Sequence, residues 1–271
     1  MTEQTFKAAD NVNLANNLVN QAMAEPTKTT EKAVITSPLD TLVNLPGGFI
    51  TPAGEVIRIA EVKELNGRDE ELISKSSNSG RTFSTILNCG VVSIGGVKAT
   101  DALLDDLLSG DRDALMLGIY KATFGNTALI QSFCSTCETP QTVEVNIDTD
   151  IETKKLMDPV ADRSFTVKGR EQDYLVSLPT GATQRELSTN LDKTMAELTS
   201  ILLQGTVLEI DGRPVVSKQQ VLSFGLQDRK AISNEIADRN PGPQFNDTTV
   251  DCPDCGGKVA VPINLGTLFR F

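Results

Sequence analysis

The chain has 271 residues, 39% of them hydrophobic, which is enough to bury one large core or two modest ones. Its formal net charge of -11 opposes binding to phosphates and anionic lipid, and the absence of histidine excludes Ser-His-Asp and Cys-His catalysis. With no tryptophan and only 2 tyrosines, the chain has few aromatic side chains for stacking on single-stranded nucleic acid.

The N-terminal segment, residues 1–35, is rich in Asn, Thr, Lys and Glu. A short apolar pattern, Leu14, Leu18 and Met23, could form a weak helix, and Pro26 begins a linker-like stretch. The pattern predicts neither a signal peptide nor a membrane span, so we expect a cytoplasmic protein. We predict an arm that is flexible when free and ordered on a partner; a terminus that stays flexible is the alternative.

The rest of the chain repeats itself at an offset that drifts from 115 to 118 residues. The landmarks that match, in order, are Glu71 with Glu186, Ile86 with Ile201, Gly90 with Gly205, Asp111 with Asp228, and Cys134 with Cys252. We therefore predict an α+β fold of two tandem related modules, residues 36–160 and 161–271, behind the flexible arm at 1–35.

Each module is predicted to begin with short strands and turns, as over Val43–Ile59. A helix follows: in the second module Thr183–Glu186 matches a capping box. A stripe at helical spacing, which should be core, consists of Leu187, Leu191, Met195, Leu198 and Leu202. Two more helices, the first starting near Thr100 or Ser217, and a hairpin with a cysteine pair complete the module.

An Asp-Arg sequence recurs in the last long helix of each module, at Asp111-Arg112 and Asp228-Arg229. A catalytic dyad is one interpretation. However, an Asp in the first turn complements the helix dipole and can form a local ion pair with Arg. We therefore predict structural roles for these residues.

Four of the five cysteines form two C-x-x-C pairs, Cys134 with Cys137 and Cys252 with Cys255. Each pair lies between strand-like runs, and the two-residue gap lets one tight turn direct both sulfurs at one tetrahedral ion. A glycine after the second Cys permits a positive φ there. The second pair has Gly256 at that position, whereas the first has Glu138.

The two pairs together predict one structural zinc per chain, with four cysteine ligands and no open position for catalysis. Closing so long a loop costs roughly 4 kcal/mol plus a constant. Structural zinc supplies on the order of 10–16 kcal/mol, which offsets that cost. Disulfides or redox chemistry are the alternatives; a cytoplasmic location and the hairpin setting disfavour both.

Several motifs in order carry a resemblance to a known family. They are the run Ile35–Ile59 with its Leu-Pro-Gly-Gly turn, Asp69-Glu70-Glu71-Leu72, Asp111-Arg112 before Leu115–Gly125, Cys134-x-x-Cys137, Cys252-Pro-x-Cys255-Gly, and Phe269-Arg270-Phe271. Over residues 36–271 the chain resembles the baseplate hub assembly family of T-even-like tailed bacteriophages. The turn after Cys137 departs from the Cys-x-x-Cys-Gly pattern frequent in that family. The resemblance implies a virion or assembly protein of the tail baseplate or hub.

We therefore predict a non-enzymatic phage tail component, in the virion baseplate and in the host cytoplasm during assembly. It would contact other tail, baseplate, hub or tape-measure proteins in a symmetric multi-copy assembly, without nucleic acid or a membrane span. The alternatives are a zinc-ribbon nucleic-acid-binding factor and a thiol oxidoreductase. Leu268, Phe269 and Phe271 are predicted to form a docking tail, or else to pack back on the chain's own core.

Overall fold

The computed structural model describes residues 41–76, 79–246 and 248–269, all within one compact unit, Pro38–Phe271. The predicted arm at 1–35 and Phe271 lie outside these residues. Helices and strands are both abundant, as expected of an α+β fold. In the described part of the chain, none of the helices combines the length and the apolar character needed to cross a membrane.

The first half of the described chain contains six strands and five helices, from Leu42 to Asp150. Its elements are β1 (Leu42–Ile50), β2 (Val56–Val62), α1 (Gly67–Ser74), α2 (Ser79–Gly90), β3 (Val91–Ile94), β4 (Val97–Lys98), α3 (Asp101–Asp106), α4 (Ser109–Phe124), β5 (Thr127–Phe133), β6 (Pro140–Asn146) and the single turn α5 (Ile147–Asp150).

The second half follows a short connection that contains β7 (Thr153–Lys154) and a 3-10 turn (Ala161–Arg163). Its elements are β8 (Ser164–Lys168), β9 (Asp173–Ser177), α6 (Gly181–Thr189), α7 (Met195–Thr206), β10 (Val207–Ile210), β11 (Arg213–Pro214), α8 (Lys218–Leu222), α9 (Leu226–Arg239), β12 (Gly242–Pro243), β13 (Thr248–Asp251), β14 (Lys258–Val261) and α10 (Leu265–Leu268). Apart from β12, which pairs with β7, the order of strands and helices is that of the first half.

Each half has one antiparallel four-stranded sheet, ordered β1-β2-β3-β4 and β8-β9-β10-β11. In each sheet two helices separate the second strand from the third, and a two-residue strand forms the last edge. A separate Cys-bearing hairpin follows the last long helix in each half, β5–β6 and β13–β14.

The leucine stripe predicted as one helix over Leu187–Leu202 is two helices, because α6 ends at Thr189 and α7 begins at Met195. Leu191 and Met195 are exposed, so their predicted core role is wrong. Asn, Asp and Thr in the intervening segment favour caps and turns over helix interiors, which explains the break.

The capping box predicted at Thr183–Glu186 is also wrong, since Thr183 lies buried within α6. A capping box is present at the start of α7 instead. There the Thr194 hydroxyl accepts from the Glu197 amide, and the Glu197 side chain accepts from the Thr194 amide.

The two Asp-Arg sequences are buried near the starts of α4 and α9. The local ion pair predicted between each Asp and its Arg is wrong, because the described contacts of these side chains go to other residues. Asp111 accepts a hydrogen bond from the Gly47 amide at 2.6 Å, and Arg112 lies 3.4 Å from Asp105. In the second half, Asp228 accepts from the Tyr174 hydroxyl at 2.9 Å. These contacts tie each helix to a neighbouring strand or helix.

Each half encloses a hydrophobic core, but segments cross between the halves. Leu108 and Leu156 pack in the second core. The first core takes residues from the end of the chain, which are Val261, Ile263, Leu268 and Phe269. The Phe269 ring meets Tyr120 edge-on, with centroids 5.5 Å apart. Leu268 and Phe269 therefore belong to the core, and the docking tail predicted from them is wrong.

Candidate metal centre

Both cysteine pairs lie in the turns of regular hairpins. The β5–β6 ladder runs from Thr127 opposite Asn146 to Phe133 opposite Pro140, and Cys134 follows directly. In β13–β14, Asp251 is opposite Lys258, and Cys252 follows Asp251. The alternating burial along β5 and β14 shows why these runs form strands, because one face packs on the core.

The two hairpins meet at their turns, although more than a hundred residues separate them in sequence. Cys134 forms an antiparallel bridge with Val259, which is fully buried. The Ser132 hydroxyl donates to the Ala260 carbonyl at 2.5 Å, and the Ser135 hydroxyl donates to the Lys258 carbonyl at 3.2 Å. Strand β5 is thereby joined to β14, and the two turns face each other.

The meeting of the turns brings the four sulfurs together. The Sγ atoms of Cys134 and Cys255 are 3.6 Å apart, those of Cys137 and Cys252 are 3.7 Å apart, and all four lie within 4.8 Å of one another. Four thiolates at about 2.3 Å from a tetrahedral zinc would be about 3.8 Å apart. The cluster therefore has the size that a metal ion with four sulfur ligands requires.

The two turns have the same backbone hydrogen bonds. The Glu138 amide donates to the Cys134 carbonyl at 2.9 Å, and the Gly256 amide donates to the Cys252 carbonyl at 2.8 Å. Glu138 has φ of 57° and Gly256 has φ of 70°. The positive φ expected at Gly256 is present, and Glu138 adopts it as well, in a region that L-residues rarely enter.

Backbone and side-chain donors point at the sulfurs. The Thr136 amide lies 3.4 Å from the Cys134 Sγ, and the Gly257 amide lies 3.4 Å from the Cys255 Sγ. The Thr139 hydroxyl lies 3.0 Å from the Cys137 Sγ. Such donors favour the thiolate, which is the form of cysteine that binds metals.

These hydrogen bonds also separate the acidities of the thiols. The hydroxyl and backbone amide of Thr139 lower the pKa of Cys137 to about 6. The Gly257 amide lowers the pKa of Cys255, but contacts with the Cys137 and Cys134 sulfurs raise it by more, to about 12. A cation bound among the sulfurs would remove the repulsion that keeps a proton on Cys255.

Three residues of the site were not identified from the sequence: Thr139, Gln141 and Asp254. The Gln141 amide donates to the Asp254 carboxylate at 2.8 Å and lies 3.6 Å from the Cys252 Sγ. The Thr139 hydroxyl lies 3.2 Å from the same carboxylate. No local spacing in the sequence marks these residues, because their contacts join one hairpin to the other.

The surroundings of the four cysteines bear on the alternatives to a metal site, which are disulfides and redox chemistry. All five cysteines are free thiols, and neither pair begins a helix as a thioredoxin-like site would. The four sulfurs can fill a tetrahedral shell, which leaves no position for a reacting water. Cys134 and Cys252 are buried and Cys255 is exposed, so the cluster lies just below the surface.

The comparisons with known proteins concern the same part of the chain. A family model described as "T4 bacteriophage base plate protein" matches residues 94–270, well over half of the chain, and this range includes both cysteine pairs. The searches of curated proteins and of solved structures returned no match. The baseplate resemblance seen in the sequence is thus confirmed over residues 94–270. The chain belongs to the family of T4 bacteriophage base plate proteins.

Proposed function

We propose that the chain is a non-enzymatic structural or assembly protein of a phage tail baseplate or its hub, held together by one structural zinc. The observation that carries the proposal is the four-sulfur cluster between two hairpins of a baseplate-family protein. The chain acts through contacts with other tail proteins, in the virion and earlier in the host cytoplasm.

The zinc is proposed from the donor set and its geometry. Cys134, Cys137, Cys252 and Cys255 supply four soft ligands, which zinc and iron-sulfur centres favour. Two hairpin turns with amide donors to sulfur suit a single tetrahedral ion. When bound, the zinc would supply cross-linking and no catalytic step, because the shell is complete.

We also propose that residues 36–160 and 161–271 are related modules that arose by duplication. The same order of strands and helices in both halves supports this, as do the equal strand orders of the two sheets. The matching turn hydrogen bonds at the two cysteine pairs add further support. One zinc shared between the modules would tie their ends together.

A zinc-ribbon function in nucleic-acid binding has little support from the surface around the cluster. The hairpins carry four acidic residues, Glu138, Glu144, Asp251 and Asp254. Lys258 forms an ion pair with Asp251, with 2.5 Å between its Nζ and the Asp251 Oδ1. Phosphate binding requires clustered cations, which these hairpins lack. A baseplate role by protein contacts is therefore the better supported proposal.

The proposal is tested by replacing the chain during infection with variants that differ in one cysteine. Cys134→Ser should abolish infectious particles and release the zinc, because three thiolates leave the shell open. Cys89→Ser, which lies outside the cluster, is the matched control and should assemble normally. Absence of the wild-type chain from both purified tails and their assembly intermediates would contradict the proposal.

A further inference from the structure

The two hairpins present different side chains to solvent at the same register. In β13–β14 the residue before the first cysteine, Asp251, is opposite Lys258, and the two form an exposed ion pair. In β5–β6 the corresponding residue, Phe133, is opposite Pro140. One hairpin therefore has an ion pair where the other has two apolar side chains.

The apolar character extends along the solvent face of β5. Phe133 is 68% exposed, and Leu129, four residues earlier on the same face, is 70% exposed. The other face, with Ala128 and Ile130, is buried in the first core. Leu129 and Phe133 thus contribute nothing to that core, and each leaves a large apolar surface in water.

The charged side chains of this hairpin are all acidic. Residues 127–146 include Glu138 and Glu144 but neither lysine nor arginine. Glu144 is directly opposite Leu129 and exposed. Glu138 is exposed at the turn and has a positive φ, whereas the equivalent residue of the other hairpin is Gly256. A second copy of this face would bring like charges together, which disfavours self-association.

We propose that Leu129, Phe133 and Pro140, with Glu138 and Glu144 beside them, form a docking face for another baseplate protein. The segment that binds would have apolar side chains flanked by lysine or arginine, because these complement both the apolar centre and the acidic rim. The inference rests on the proposed assembly function. It adds which surface makes the contact and what the partner segment looks like.

The test places the photo-cross-linking residue p-benzoylphenylalanine at position 133 in the full chain during infection, followed by mapping of the cross-linked peptides. The matched control carries the same residue at position 251. We expect position 133 to react with an apolar segment flanked by Lys or Arg, in another baseplate protein, with about tenfold higher yield than position 251.

Two further variants separate the face from folding defects. Phe133→Asp with Pro140→Lys copies the ion pair of the second hairpin, so it should keep the zinc and the thermal midpoint of the wild type while incorporation into tails falls about tenfold. Glu144→Lys, with the cross-linker at 133, should lower the cross-linking yield about tenfold because it reverses the charge of the rim.

Adducts at 133 to a second copy, to the chain's own residues 1–40, or to an acidic segment would overturn the docking face. So would a yield at 133 no higher than at 251, or normal incorporation of the Phe133→Asp and Pro140→Lys variant. If the chain itself is missing from tails and assembly intermediates, both the docking face and the proposed function fail.

Discussion

Glu138 and Gly256 occupy equivalent positions in the two cysteine turns and share a left-handed backbone conformation. Gly256 adopts it without a steric cost, whereas the Cβ of Glu138 lies close to its own backbone. A cost of roughly 1–2 kcal/mol is expected for such a residue, partly offset by the smaller entropy that it loses on folding. The first turn is therefore the more strained of the two.

We predict that Glu138→Gly raises the free energy of unfolding by about 0.5–1 kcal/mol and that Gly256→Ala lowers it by about 1 kcal/mol or more. Denaturant unfolding of the zinc-loaded protein measures both. Glu138→Gln, which removes the charge but keeps the Cβ, is the control and should match the wild type. Equal effects of the Gly and Gln variants would assign the change to charge instead of backbone strain.

Asp111 is fully buried, and only one of its carboxylate oxygens has a hydrogen-bond partner within the described structure. Burial raises the pKa of this carboxyl from 3.8 to about 6, against the opposing effect of the Gly47 amide. The folded state then holds the proton more tightly than the unfolded chain. Stability from this group is present below about pH 4 and is lost as the pH rises through 6.

Asp111→Asn should remove this loss, because the amide oxygen still accepts from Gly47 and carries no charge. We predict that the variant gains up to about 2 kcal/mol relative to the wild type between pH 4 and pH 7. Unfolding curves of both proteins over this range give the difference, since the zinc site is common to both. Parallel stability profiles would show that Asp111 does not titrate as its burial requires.

The residues of the candidate metal centre differ in how far the sequence alone identifies them. The C-x-x-C spacing identified four cysteines that the structure brings together, because that spacing fixes local turn geometry. Thr139, Gln141 and Asp254 could not be found in that way, since their role depends on the contact between two hairpins. Local chemistry was predictable, and contacts across the fold were not.

At the scale of elements, the two hairpins depend on each other for stability if their four cysteines share a single ion. We predict that Cys134→Ser and Cys252→Ser each lower the free energy of unfolding by on the order of 4 kcal/mol, because each opens the same shell. The double variant should lose no more than the worse single one. Chemical denaturation measures all three, and additive losses would mean separate sites.

The last helix, α10, is a second element that joins the end of the chain to the first half. Phe269, just after it, is 7% exposed and packs against Tyr120 of α4. We predict that Phe269→Ala costs about 3–5 kcal/mol, because it empties part of the first core. The exposed Leu226→Ala is the control and should change the thermal midpoint little. A Phe269→Ala protein as stable as the wild type would mean that the side chain does not belong to the core.

Predictions of elements failed in two places, one because of local capping and the other because of tertiary packing. The leucine spacing over Leu187–Leu202 suggested one helix, but the capping residues Thr194 and Glu197 start a new one. The aromatic end of the chain suggested a docking tail, because sequence spacing does not reveal that the first core has room for Phe269. The hairpins were predictable from their turn residues and alternation.

At the scale of the whole molecule, each half has its own sheet and its own core, yet the end of the chain completes the core of the first half. The proposed zinc would strengthen the attachment of the chain's end to the first half, because the four cysteines lie where the last hairpin meets β5.

The central claim is that one metal ion joins the two cysteine pairs, and native mass spectrometry of the purified chain tests it most directly. The predicted spectrum shows one zinc per chain, with the loss of thiol protons that four thiolate ligands require. Cys134→Ser and Cys252→Ser should each lower that occupancy, whereas Cys89→Ser should not. Two metal ions per chain, or none with all thiols protonated, would contradict the account.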